Sequence, residues 1–229
     1  MISIAIDGPS GAGKSTISRK AAELFGFIYV DTGAIYRTIG LAASRRGVDI
    51  GDKDAVMAML PKLNIELKYN AAGEQCMLLD GEDVSRDIRL PEVSMLASGV
   101  SAIAEVRQYL VEMQRDMARK YNVIMDGRDI GTVILPDADL KIFLTADVED
   151  RARRRYDELR GKGSSVSFDE VLADMIRRDE QDTARAAAPL RAADDAVCLD
   201  TSGYTLNESI GEVCRLISEA TGREFGDKA

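Results

Sequence analysis

Gly8-Pro9-Ser10-Gly11-Ala12-Gly13-Lys14-Ser15-Thr16 follows directly on the apolar run Ile2-Ser3-Ile4-Ala5-Ile6 and opens a helical pattern over Lys14–Phe25. The spacing fits G-x-x-x-x-G-K-[ST], the P-loop, in the strand-to-helix context that the motif requires. Its glycines let the loop curl so that backbone N–H groups converge on an anion at a helix N-terminus. Lys14 then reaches the β- and γ-phosphates as a point charge, and the Ser15 hydroxyl suits Mg²⁺. The segment Gly8–Thr16 is therefore expected to bind a nucleoside triphosphate.

Outward from this loop, four further aliphatic or β-branched runs read as strands: Phe27–Val30, Val123–Met125, Leu140–Leu144 and Val197–Leu199. Most of the five are continuously apolar, which suits a parallel sheet covered on both faces. Asp7, Asp31, Asp126 and Asp200 follow four of them, at the sheet edge where open α/β folds bind ligands. Helical patterns lie between, two with capping boxes at Ser167/Glu170 and Thr205/Glu208. The expected fold is a doubly wound α/β domain with five parallel strands.

Two segments break the rhythm. Residues 48–91 hold an amphipathic stretch (Val56, Met57, Met59, Leu60) and then strict alternation in Ile65–Tyr69. A turn at Asn70-Ala71-Ala72-Gly73 and a second run, Cys76–Leu79, complete a small β-containing insertion. Residues 150–167 form an arginine-rich helix interrupted at Gly161-Lys162-Gly163-Ser164-Ser165, which reads as a lid. The core is then 1–47, 92–149 and 168–229 of one domain.

Composition narrows the chemistry. The 229 residues carry a formal net charge of −9, which argues against a protein tracking nucleic-acid phosphates. With no histidine, and three scattered cysteines lacking ligand spacing, zinc chemistry and imidazole acid–base catalysis are excluded. The N-terminal apolar run is too short for a signal peptide or a membrane span, so a soluble cytoplasmic protein without a membrane partner is expected.

A P-loop alone does not choose between motor, switch, ATPase and kinase. No Asn is followed by Lys, so the N-K-x-D guanine reader of GTPase switches is missing. The run Val123-Ile124-Met125 ends in Asp126, but Gly127 follows where ATPases often place Glu. Arginines gather at Arg128 and at Arg151, Arg153, Arg154 and Arg155, and fork-shaped guanidinium groups suit the positioning and charge neutralisation of phosphoryl transfer. Glu149/Arg153 and Asp150/Arg154 also stand i,i+4, a spacing equally suited to a solvated helix face. Arg178 stands the same way between Asp174 and Asp182.

Five blocks in one collinear order resemble the bacterial cytidylate (CMP) kinases. They are Gly8–Ser15, Asp31-Thr32-Gly33-Ala34-Ile35-Tyr36-Arg37, Gly81-Glu82-Asp83-Val84-Ser85, Asp126-Gly127-Arg128-Asp129-Ile130-Gly131-Thr132, and Arg185 with Pro189-Leu190. The resemblance implies a P-loop nucleoside monophosphate kinase moving the γ-phosphoryl group of ATP to CMP or dCMP with Mg²⁺. It would work as a monomer, because every implied residue lies on one chain. Carried over by position, Thr32, Ser98, Arg107, Asp129 and Arg185 would read cytosine. Arg37 and Arg128 would grip the monophosphate, and Arg178 and Asp182 the sugar. Lys14, Asp126, Arg128, Arg153 and Arg154 would serve catalysis, with Gly8–Thr16 and Arg153 on ATP. Thr32 stands where many members carry Ser, keeping the hydroxyl and adding a methyl. A kinase for another acceptor and a non-catalytic nucleotide-binding module are the competing readings.

Overall fold

The structure is a computed structural model, and it describes residues 1–70, 75–161 and 163–225. Its main sheet has the order β2-β6-β1-β7-β8, built from β1 (Ser3–Asp7), β2 (Ile28–Asp31), β6 (Val123–Gly127), β7 (Leu140–Thr145) and β8 (Val197–Asp200). β1 lies at its centre, parallel to β6 through Ala5↔Met125 and to β7 through Ala5↔Lys141. Each strand falls within a residue or two of the apolar run that foretold it. β6 is buried along its whole length, whereas at the edge strand β8 only Leu199 is buried.

The chain divides into two compact units, residues 1–29 with 117–229 and residues 30–116. In the first, Ile17, Ala21 and Phe25 of α1 (Lys14–Phe25) and Val213 and Ile217 of α8 (Leu206–Thr221) share a core with Ile4, Ile6, Ile142 and Leu144. Both foreseen capping boxes are formed, at Ser167 for α7 (Phe168–Thr183) and at Thr205 for α8. α6 (Val148–Gly161) packs on α7 through Ala152, Val171 and Met175, with the Tyr156 and Phe168 rings edge-to-face at 6.1 Å.

The second unit is larger than the 48–91 segment. α2 (Thr32–Arg45), α4 (Pro91–Ala102) and most of α5 (Ala104–Lys120) pack with α3 (Lys53–Met59) and a three-stranded antiparallel sheet, β3 (Ile65–Tyr69), β4 (Gln75–Leu79) and β5 (Glu82–Asp83). The physical reason is the apolar face of α2, since Ile35 and Ile39 join Val56, Leu60, Met77, Val100 and Leu110 in one cluster. At Gly40 the α2 backbone meets α4 so closely that a Cβ would stand 3.0 Å from that of Leu96. The foreseen turn falls mainly at 71–74, and Lys162 of the foreseen break at 162, both outside the described residues.

Ile39→Ala should cost about 2–5 kcal/mol in urea unfolding, the range for truncating a fully buried side chain that leaves a cavity. A loss below about 1 kcal/mol would contradict the placement of α2 in that core.

Candidate functional site

The P-loop takes its shape from a squeeze at its start. Gly8 sits at φ 149° against β7, where an added Cβ would lie 1.9 Å from the Leu144 carbonyl oxygen. No side chain fits there. The loop ends at Gly13, which caps α1 in the left-handed region at φ 87° without lending a side chain to the helix amides. Those amides carry the positive end of the helix dipole, although the Thr16 and Ile17 N–H groups already donate to the Gly13 carbonyl.

Lys14 is buried inside the loop, its Nζ donating to the carbonyls of Gly8 and Pro9 at 2.7 Å each. Burial, with Arg128 nearby, pushes its pKa down to about 7 against the pull of Asp126, Asp7 and Asp182. This charge is short of neutralisation. Asp126, at the end of β6, accepts from the Ser15 hydroxyl at 2.7 Å and from the Tyr29 hydroxyl at 2.9 Å. Asp7, at the end of β1, accepts from the backbone N–H groups of Ile130 and Gly131 at 2.8 Å each. Burial raises its pKa to about 6 although those two amides hold it down. The amides begin a single π-helical turn over Ile130–Ile134, directly after Arg128-Asp129. Asp7 thus fixes the backbone beside two foreseen site residues.

Arg128 Nε donates to Asp182 Oδ2 at 2.7 Å, and Arg185 pairs with Asp182 Oδ1. Burial alone would raise the Asp182 pKa, but Arg128, Arg185 and Arg178 more than offset it and the carboxyl titrates below its ordinary value. Arg178 stands outside these pairs, because Asp174 is taken by Arg177 and Asp182 by Arg128 and Arg185. Burial first, and then Arg128, lower its pKa. The i,i+4 ladder along α7 does not form. The structure therefore brings together Lys14, Ser15, Asp126, Arg128, Asp129, Arg178, Asp182 and Arg185 within one unit.

The arginines of α6 take separate partners. Arg153 lies over the Phe168 ring at 4.2 Å. Arg154 donates to the Thr201 carbonyl at 2.8 Å, and Asp150 accepts from the Gly203 N–H at 3.0 Å. The helix-face pairs Glu149/Arg153 and Asp150/Arg154 are absent among the described residues. Sequence reasoning missed the hydroxyl of Tyr29, the backbone grip of Asp7 and the ring under Arg153. Only Asp7 had a signal, its place immediately before Gly8.

Thr32, Arg37, Ser98 and Arg107 belong to the second unit. Thr32 opens α2 and is buried, one turn from Tyr36, whose ring lies under the Arg107 guanidinium at 5.6 Å. Arg107 is only 7% exposed and donates from Nη1 to the Ser101 carbonyl at 3.3 Å, so it is no surface helix charge. Asp31 caps α2 by accepting from the Ala34 N–H at 2.9 Å and pairs with Arg37 at 2.7 Å. Ser98 is half-buried on α4.

The sequence profile of the cytidylate kinase family matches residues 4–219. The chain belongs to the cytidylate kinase family. A cytidylate kinase of Caldicellulosiruptor saccharolyticus is 49% identical over 223 residues, 97% of this chain and 98% of the relative. One from Geobacter sulfurreducens is 50% identical over 217 residues, covering 94% and 92%. A solved structure of an uncharacterized protein from Eubacterium ventriosum aligns over 97% of this chain and 100% of its own, with a TM-score of 0.51 at 13% identity, which speaks for the fold alone.

The buried lysine has a measurable consequence. Its folded pKa lies below the free value of 10.5, so between about pH 7 and that value the native state holds fewer protons than the unfolded chain. Stability gained from deprotonation therefore rises with pH across this window. Lys14→Met should raise the melting temperature of nucleotide-free protein most at pH 7 and below, with the gain shrinking toward pH 10. A shift independent of pH would contradict the buried charge.

Proposed function

We propose that this chain transfers the γ-phosphoryl group of ATP to CMP or dCMP, giving ADP and CDP or dCDP. The observation that carries this reading is the unbroken family match over residues 4–219, which takes in every candidate residue from Gly8 to Arg185. In the reaction an oxygen of the CMP phosphate attacks the γ-phosphorus, the bond to the β-phosphate oxygen breaks, and ADP leaves with that electron pair. An ionised phosphate acceptor needs no general base, so the absence of histidine costs nothing.

The residues divide by chemistry. Gly8–Thr16 offer loop and helix amides to the triphosphate, and Lys14 exchanges its two carbonyl partners for phosphate oxygens. Arg37 and Arg128 are bidentate donors for the monophosphate. Arg178 and Asp182 serve the sugar. Thr32, Ser98, Arg107, Asp129 and Arg185 serve the base, where hydroxyl and carboxylate acceptors favour the amino group of cytosine over the carbonyl of uracil. Residues 48–91 act as the monophosphate-binding insertion and 150–167 as the lid, whose Arg153 and Arg154 must leave Phe168 and the Thr201 carbonyl to reach ATP.

Mg²⁺ fits the hydroxyl–carboxylate pair of Ser15 and Asp126, both hard oxygen donors. Among the described residues no group of three acidic or sulfur ligands forms a protein cage, which suits an ion held largely by phosphates and water. Bound there, it would neutralise charge on the β- and γ-phosphates. No helix among the described residues is long and apolar enough to cross a membrane. We take the working unit as a cytoplasmic monomer that binds small nucleotides and no nucleic acid.

ADP release from Mg-ATP should rise with CMP and dCMP and stay at background with UMP, AMP and dTMP. Asp129→Ala should lower kcat/KM for CMP by about tenfold to a hundredfold, the scale of a lost hydrogen bond to a charged group. Equal use of UMP would contradict the base readers, and silence with all five acceptors would contradict the kinase.

A further inference from the structure

One arginine of α6 is committed differently from its neighbours. Arg151 is 5% exposed and spends its guanidinium in three directions. Nε donates to the Ala146 carbonyl at 2.8 Å, Nη1 to the Ser10 carbonyl at 2.8 Å, and Nη2 to Asp179 Oδ2 at 2.7 Å. Ala146 precedes α6, Asp179 lies on α7, and Ser10 is inside the P-loop. The other oxygen of Asp179, Oδ1, is buried with no hydrogen-bond partner among the described residues, so the polar contact of this half-buried carboxylate is the one with Arg151. Leaving a buried acceptor unsatisfied has a free-energy cost that surface pairs avoid.

The next residue shows the same closeness. Gly11 lies at φ 75°, and a Cβ added there would stand 2.8 Å from Met175 Cε and 3.3 Å from Arg151 Cβ. The crest of the P-loop is thus seated against the α6–α7 pair by one guanidinium and one thioether. A trans peptide is planar, so its C=O and N–H point in opposite directions, and the chain has no cis bond among the described residues. Turning the Ser10 carbonyl toward Arg151 therefore turns the Gly11 N–H away from it.

We propose that Arg151, braced by Asp179, is a positioning residue for the triphosphate: it holds the Ser10–Gly11 peptide so that the Gly11 amide faces the phosphates. This rests on the reading of the P-loop as the ATP site. Arg151 acts on the loop and not on the nucleotide itself, which separates it from the ATP-contacting roles proposed for Arg153 and Arg154. It also joins the start of α6, α7 and the phosphate loop in one hydrogen-bonded unit.

Equilibrium binding of ATP, GTP and inorganic tripolyphosphate to the full chain tests this. Arg151→Ala should weaken all three by a common factor of about tenfold or more, the scale for losing a charge-assisted hydrogen bond. Asp179→Asn, which keeps the arginine but loosens its brace, should weaken all three by a smaller common factor. CMP binding should be unchanged in both. Unchanged affinities would overturn the proposal, and so would a loss confined to ATP, which would mean that Arg151 touches adenine. If Arg151→Ala does not fold, Asp179→Asn decides by the same criterion. Wild-type protein that bound none of the three would instead sink the ATP reading, and the brace with it.

Discussion

The structure turns on how ionised groups are kept out of water at the C-terminal ends of β1 and β6. Asp7 and Asp126 are both buried there beside Lys14. Lone buried charges of this kind would be costly, so each has been given donors or acceptors. Asp7 receives two backbone amides, Asp126 receives two hydroxyls, and Lys14 spends its protons on two loop carbonyls. None of these partners fully neutralises the charge of Lys14, whose pKa is pushed down to about 7. A polyanion with several oxygens supplies what the protein withholds. The proposed phosphate site thus has its charged groups in place in the free protein.

That arrangement requires a rigid floor and a seated crest. Gly8 provides the first by allowing the loop to touch β7, and the Gly11–Met175 approach with the Arg151 bridge provides the second. The arginines around Asp182 follow another logic. Arg128 and Arg185 share one carboxylate, and Arg178 is left beside them with its charge disfavoured. A cluster holding more guanidinium groups than carboxylates suits an anionic ligand, and paired arginines remain pre-oriented without it.

The sheet was legible because continuous apolar runs bounded by aspartate have few other uses, and the capping boxes at Ser167 and Thr205 marked helix starts to the residue. The P-loop was legible because its glycines are sterically required. Less visible was anything that depends on which side chain meets which across the fold. Glu149 and Arg153 have ideal spacing for an ion pair, yet Arg153 lies on the Phe168 ring, a partner fixed only when α6 packs on α7. Arg107 reads as part of a charged helix pattern, and it is buried because α5 turns that face toward Tyr36. The π-helical turn after Asp129 carries no periodicity at all, since it is set by Asp7, more than a hundred residues away. The extent of the second unit was hidden for a related reason: α2 looks like part of the α/β rhythm, and its apolar face decides where it packs.

The claim that the loop holds an under-neutralised lysine ready for phosphate is tested most directly by the protons exchanged when ATP binds. Titration calorimetry at pH 8 in buffers of differing ionisation enthalpy reads that number. Net proton uptake is expected, because the phosphates favour the charged form of a lysine whose pKa burial lowers in the free protein. Lys14→Met should abolish the uptake. Buffer-independent heats in the wild type, or the same uptake in Lys14→Met, would contradict it.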